Sequence, residues 1–220
     1  DYIADQLEAA IASDRSELHA AVQKVLQDII AEHGSIIFNG DGYSEAWHKE
    51  AKERGLPNLR TTVDALPVLA SPAVIALFEN YGVLSERETL SRQEVYLEHY
   101  CLSVSVEART TVEVAKTVIF PAAIRYQGEL ASTYASLKAV GAAFDGKPLD
   151  TLCGLVTQLQ DAITGLEGTL AHKSGATTLA HAEHCCNEVL PAMVKVRSAA
   201  DALEGCVADD LWPLAPYQAM

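Results

Sequence analysis

Two runs of apolar residues near the end of the chain leave little choice of architecture. Leu149, Leu152, Val156, Leu159, Ile163, Leu166 and Leu170 recur at alternating steps of three and four, and so do Leu179, Ala182, Cys186, Val189, Met193, Val196, Ala200 and Leu203. Such steps place one side chain per turn on a single helical face, the a/d pattern of helices that pack lengthwise. Asp145, Gly146 and Pro148 set the first run apart, and Lys173-Ser174-Gly175 separates the two. A link that short folds the chain back on itself. The spacing therefore predicts an antiparallel hairpin with arms near 149–172 and 176–204, the second bent at Pro191.

The rest of the chain is also helical in pattern. Ile3, Leu7 and Ile11 mark a short helix. Leu18, Val22, Val25, Leu26, Ile29 and Ile30 mark a longer one, capped by Ser13 or Asp14 and ended by Gly34. Residues 34–72 differ: Ile36-Ile37-Phe38 favours a β conformation, and Asn39-Gly40-Asp41-Gly42 is a turn. Ser44 then caps one short helix that carries Trp47 and stops at Gly55. Pro72 after Ser71 starts a further helix that ends at Gly82. Ser85 and Glu88 have the spacing of a capping box. The helix that follows offers Leu90, Leu97, Cys101 and Val104 to a core and either continues or breaks near Ser103–Ser105. A stripe from Ala108 to Tyr126 contains Pro121, where a kink is expected. The expected fold is mainly α: a multi-helix bundle forming one domain over 1–220. Its parts are N-terminal helices (1–33), a Gly/Pro-rich connector (34–72), central helices (73–144), and the hairpin with a C-terminal tail (145–220).

Charge narrows the function. Lys plus Arg number 16 against 30 Asp plus Glu, a net charge of −14. Such a surface repels phosphate-rich partners, which argues against nucleic acid and anionic membranes. No apolar run reaches the ~18 residues a bilayer requires. Five cysteines without CxxC spacing fit free thiols in a reducing cytoplasm. Residue 1 is Asp rather than Met, so the chain reads as a piece of something longer.

Few side chains suggest chemistry. His181, His184, Cys185 and Glu188 fall within one helical window and are zinc-type ligands by residue type. In the heptad frame His181, His184 and Glu188 lie opposite the core stripe, so a solvated polar face explains them without a metal; Cys186 falls on the stripe as a small hydrophobe. Asn39 to Ser44 leads into a helix N-terminus that could hold an anion, yet it lacks both GxGxxG and GxxxxGK[ST], and capping by Ser44 accounts for it. His19, His48 and His181 are the helical histidines a phosphotransfer bundle would need. There is no GxSxG or HExxH. The reading assigns no catalytic, cofactor-binding or metal residue, with His181, His184 and Glu188 as metal candidates only. Asn39, Asp41, Tyr43, Ser44 and Trp47 are expected to be structural or interface residues, in a brace packed on the helix near 14–33.

The connector carries a resemblance. Ile36 to Ser44, Trp47-His48-Lys49-Glu50-Ala51, Arg54 to Leu59 and Thr61 to Pro67 resemble the C-terminal region of type III glutamine synthetases. Asp1 to Asp5, Phe120 to Gln127 and Asp209-Asp210-Leu211-Trp212-Pro213-Leu214 are similar to the same family. Residues 130–205 match only in helical character. The resemblance implies a parent ligase that joins ammonia to glutamate with ATP through a γ-glutamyl phosphate. It further implies Mg²⁺ or Mn²⁺, a β-rich catalytic core preceding this segment, a homo-oligomer of stacked hexameric rings, and a cytoplasmic location. None of that core's metal-binding glutamates or phosphate-binding basic residues can be placed on this chain. The segment's expected role is assembly and support, its partners being its own core and neighbouring subunits. The competing expectation is a stand-alone helical interaction module without catalytic activity.

Overall fold

The structure, a computed structural model, describes residues 2–11, 18–37, 39–172 and 177–215. The expected cap at Ser13 or Asp14, Phe38, and the Lys173-Ser174-Gly175 turn lie outside the described residues. The described residues are mainly helical and contain no strand. Backbone contacts gather into two compact units, Asp1–Arg60 and Thr61–Met220, where the sequence predicts one domain. The division falls at the end of a non-helical stretch that follows Gly55, whose φ is +76°, and contains Pro57.

In the first unit, α1 (Tyr2–Ile11) packs on α2 (Leu18–His33), which buries Ala21 and Val25. Gly34 to Ile36 forms one 3-10 turn rather than an extended segment, closed by the Ile37 amide on the Gly34 carbonyl at 3.1 Å. Ile36 thus sits in a helical turn against its β preference, whereas Ile37, at φ −85° and ψ 124°, is extended as its residue type favours. Helix α3 (Glu45–Glu53) starts at Ser44, whose Oγ accepts from the Trp47 amide.

The second unit begins with α4 (Thr62–Leu69), a helix the sequence reading missed inside the connector. Thr61 caps it by accepting from the Asp64 amide at 3.1 Å. Pro67 falls in its last turn, where little helix remains to be disrupted. Helix α5 (Pro72–Asn80) starts on Pro72 as predicted, and Gly82 follows its end with φ +63°. Helix α6 (Glu86–Val114) opens on the expected capping box. Ser85 Oγ accepts from the Glu88 amide, and Glu88 Oε2 accepts from the Ser85 amide at 2.9 Å. Those bonds from Ser85 hold the Glu88 carboxyl below its ordinary pKa.

Helix α6 passes Ser103–Ser105 unbroken. It runs through a π-helical turn, Ala115–Ile119, into α7 (Phe120–Ala139). The chain continues as α8 (Lys147–Ala171) and α9 (Thr178–His184). A second π-turn, Cys185–Val189, then leads into α10 (Leu190–Glu204). In both long helices the π-turn ends two residues before a proline, Pro121 or Pro191. Its wide bonds are Phe120 N–H to Ala115 O and Leu190 N–H to Cys185 O.

Helix α8 packs chiefly against α10 and α7, and α6 packs against α4 and α9. Along α8 the buried residues are Leu152, Val156, Leu159, Ile163 and Leu166, the predicted stripe. Along the second arm the stripe is corrected. Cys185 and Ala192 are buried where the heptad named Cys186 and Met193, which are half-buried. Ala182, Val189, Val196, Ala200 and Leu203 are buried as read; Cys185, Ala192 and Ala199 complete a run that keeps the same steps of three and four. Alanines at 108, 115, 122, 123, 182 and 200 are buried along with the bulkier Leu152, Leu159, Leu166 and Leu203, a mix of small and large side chains that suits close helix packing.

Leu159 is fully buried. Leu159→Ala should lower unfolding free energy by ~2–5 kcal/mol in chemical denaturation, the cost of lost burial plus a cavity. Val194→Ala, at a residue 63% exposed on α10, should stay within ~0.5 kcal/mol. Equal effects would contradict this packing.

Candidate functional site

The residues best placed for chemistry lie where α6, α9 and the second π-turn meet. Cys101 comes from the middle of α6, His181 from α9, and Cys185 opens the π-turn. Their ligating atoms, two sulfurs and an imidazole nitrogen, lie within 4.8 Å of one another. This is the one such metal-type group among the described residues. Both thiols are buried and His181 is half-buried. The Cys101 thiol points at the Thr178 carbonyl, with Sγ 4.0 Å from the oxygen. Thr178 is itself tied back to α6, since its hydroxyl donates to the Glu94 carboxylate. A cavity of about 510 Å³ opens beside the group, lined by Cys101 and His181 together with Glu98, Ser105, Arg109 and Thr177.

Burial dominates the electrostatics. Removal from water pushes the Cys101 thiol up to about 11, and the neighbouring Cys185 adds to the shift. Burial likewise raises Cys185. Next along the chain, Tyr100 is pushed up to about 12, first by burial and then by its hydrogen bond with Cys186.

The metal candidates read from sequence are not brought together. His184 Nε2 sits 3.0 Å from the Thr169 carbonyl, and its ring lies 5.2 Å from that of His172. Glu188 is exposed. Of the helical window read from sequence, His181 and Cys185 join the cluster. Their partner Cys101 was missed as a ligand: it lies eighty positions from His181 and reads as core. Sulfur and imidazole donors suit soft cations. They do not suit Mg²⁺ or Mn²⁺, which take oxygen ligands, so the metals implied by the sequence resemblance find no match in this group.

The connector residues belong to the first unit. Asp41 Oδ1 accepts from the Tyr43 amide at 2.9 Å, and the Ser44 hydroxyl donates to the Asp41 carbonyl at 2.8 Å. Asn39 is exposed and Tyr43 is 97% exposed. Trp47 is half-buried with the Arg54 guanidinium over its ring, 5.8 Å from the centroid. Arg54 also bonds the Glu50 carboxylate and donates to the Ile37 carbonyl at 2.8 Å, which fastens the 3-10 turn to α3. A second cavity, about 900 Å³ and largely apolar, lies in the second unit beside both π-turns. Ala115, Ile119, Leu190, Met193, Val196 and Trp212 line it.

Comparison with known proteins places these features. The model of the glutamine synthetase C-terminal domain matches residues 21–138, and the chain belongs to that family. The type-3 glutamine synthetase of Dictyostelium discoideum is 32% identical over 212 residues, 92% of this chain and 29% of that protein. A glutamine synthetase of Bacteroides fragilis is 26% identical over 238 aligned positions, covering 96% of this chain and 32% of the relative. One from Butyrivibrio fibrisolvens is 33% identical over 124 residues, 56% and 18%. The chain thus spans at most about a third of the curated relatives it matches. It is the C-terminal domain of a type III glutamine synthetase.

The raised thiol has a consequence in alkali. Unfolded, Cys101 ionises near 9.0; folded, near 11. The unfolded chain therefore loses this proton first. The associated stability is complete below pH 9.0 and is lost as pH rises through about 11. Denaturation midpoints across that window should fall more steeply for the native chain than for Cys101→Ala. The same slope in both would contradict the assignment.

Proposed function

We propose that this segment is the assembly and support domain of an enzyme that makes glutamine from glutamate, ammonia and ATP with Mg²⁺ or Mn²⁺. In this reading the catalytic residues belong to other parts of the enzyme. The segment contacts its own catalytic core and neighbouring subunits in a cytoplasmic homo-oligomer of stacked hexameric rings. The observation that carries the proposal is the 32% identity to a type-3 glutamine synthetase across 92% of the chain. The surface of the first unit adds support. Ile30, Ile36, Ile37 and Tyr43 are each more than half exposed there. Large apolar side chains left in water on one small unit suit a surface that another protein surface covers. No single helix among the described residues is long and apolar enough to cross a membrane.

Two outcomes follow. The purified segment should form no glutamine from glutamate, ammonia and ATP; detectable turnover would overturn the proposed division of labour. Trp47→Ala in the full-length enzyme removes the platform under Arg54. It should weaken assembly or lower the melting temperature, with the ATP KM little changed in whatever remains assembled. An intact oligomer with unchanged melting temperature and reduced nucleotide affinity would instead favour an anion site at the start of α3.

A further inference from the structure

We propose that Cys101, His181 and Cys185 bind a zinc-class divalent cation, holding it by two thiolates and one imidazole with a fourth position open to the adjoining cavity. A tetrahedral zinc site with sulfur bonds of about 2.3 Å and nitrogen bonds of about 2.0–2.1 Å needs its ligand atoms about 3.4–3.8 Å apart. The three ligating atoms, within 4.8 Å of one another, reach that geometry by side-chain rotation. His181 and Cys185 are four residues apart on one face of a helix, and Cys101 meets them from α6. The π-turn begins at Cys185, and it is Cys185, not Cys186, that is buried. Such single wide turns recur at functional sites.

The His181 ring has no hydrogen-bond partner among the described residues, in contrast to His184 on the Thr169 carbonyl. Glu98 lines the same cavity, and a water from it takes the fourth position. On binding, each thiol releases its proton to solvent. The two thiolate charges then balance the dication, so a buried site carries no net charge. The site also pins α6 to the start of the second arm. It joins Cys101, inside the stretch matched by the family model, to two residues outside it.

The test uses the full-length protein, reduced, stripped with a chelator and titrated with Zn²⁺ against a chromophoric competitor, then with Co²⁺. The expected result is one Zn²⁺ per chain. Co²⁺ should give thiolate-to-metal charge-transfer absorption with the intense visible bands of a tetrahedral site. Cys101→Ser, Cys185→Ser and His181→Ala should each weaken binding at least tenfold, while His184→Ala binds as the native chain does. His181→Cys, which keeps three ligands, should retain the charge-transfer band and guards against loss through misfolding. The proposal is overturned if the reduced protein takes up no Zn²⁺. It is also overturned if uptake is unaffected by the Cys101 and Cys185 substitutions, or if freshly purified protein contains a Cys101–Cys185 disulfide and binds metal no better after reduction. Metal content is read without activity, so failure here leaves the assembly proposal standing.

Discussion

A proline inside a helix presents its ring to the carbonyl four residues earlier and has no amide to bond it. This chain faces that problem in both of its longest helical runs, at Pro121 and Pro191. Each time it meets it with a π-turn spanning the sixth to the second residue before the proline. The carbonyls of Thr117 and Asn187, which would collide with the rings in a regular helix, fall inside the widened turns. The helices run on beyond the prolines for 18 and 13 residues. Much of the second unit depends on that accommodation, because α7 and α10, which both pack on α8, continue beyond the prolines.

The inward faces are built largely from small residues. Ala108, Ala115, Ala122, Ala123 and Ala182 are each no more than 1% exposed. Short side chains let helix backbones approach closely, and the leucines of α8 and Leu203 fill what remains. On the second arm Cys185, rather than its neighbour, is buried and lies beside Cys101 and His181. The largely apolar cavity lies beside both π-turns, with Leu190 and Ile119 among its walls.

What the sequence made legible follows from how local each signal is. The stripe of α8, the Ser85–Glu88 capping box, the Ser44 cap and the Pro72 start are decided within one or two turns, and the structure places them as read. The family resemblance rested on long runs of specific residues in the connector and near Pro121, and family membership is shown. Three features escaped. Helix α4 hid because Pro67 and Pro57 read as punctuation, although Thr61 and Asp64 were a usable cap signal. On the second arm spacing was ambiguous: Ala182, Cys185, Val189, Ala192, Val196, Ala199 and Leu203 keep the same three-and-four steps as the residues named from sequence, so periodicity alone did not choose Cys185 over Cys186 or Ala192 over Met193. Cys101 could not be joined to His181 and Cys185 by spacing, since only tertiary packing makes them neighbours.

If this domain serves assembly, the exposed apolar surface of the first unit is covered in the whole enzyme. Hydroxyl-radical footprinting of Tyr43, comparing the isolated segment with the full-length protein, reads that coverage. Tyr43 is 97% exposed in the segment and should oxidise rapidly there. In the assembled enzyme oxidation of Tyr43 should be severalfold slower, with Ile36 and Ile37 protected as well. Equal rates in the two samples would contradict it.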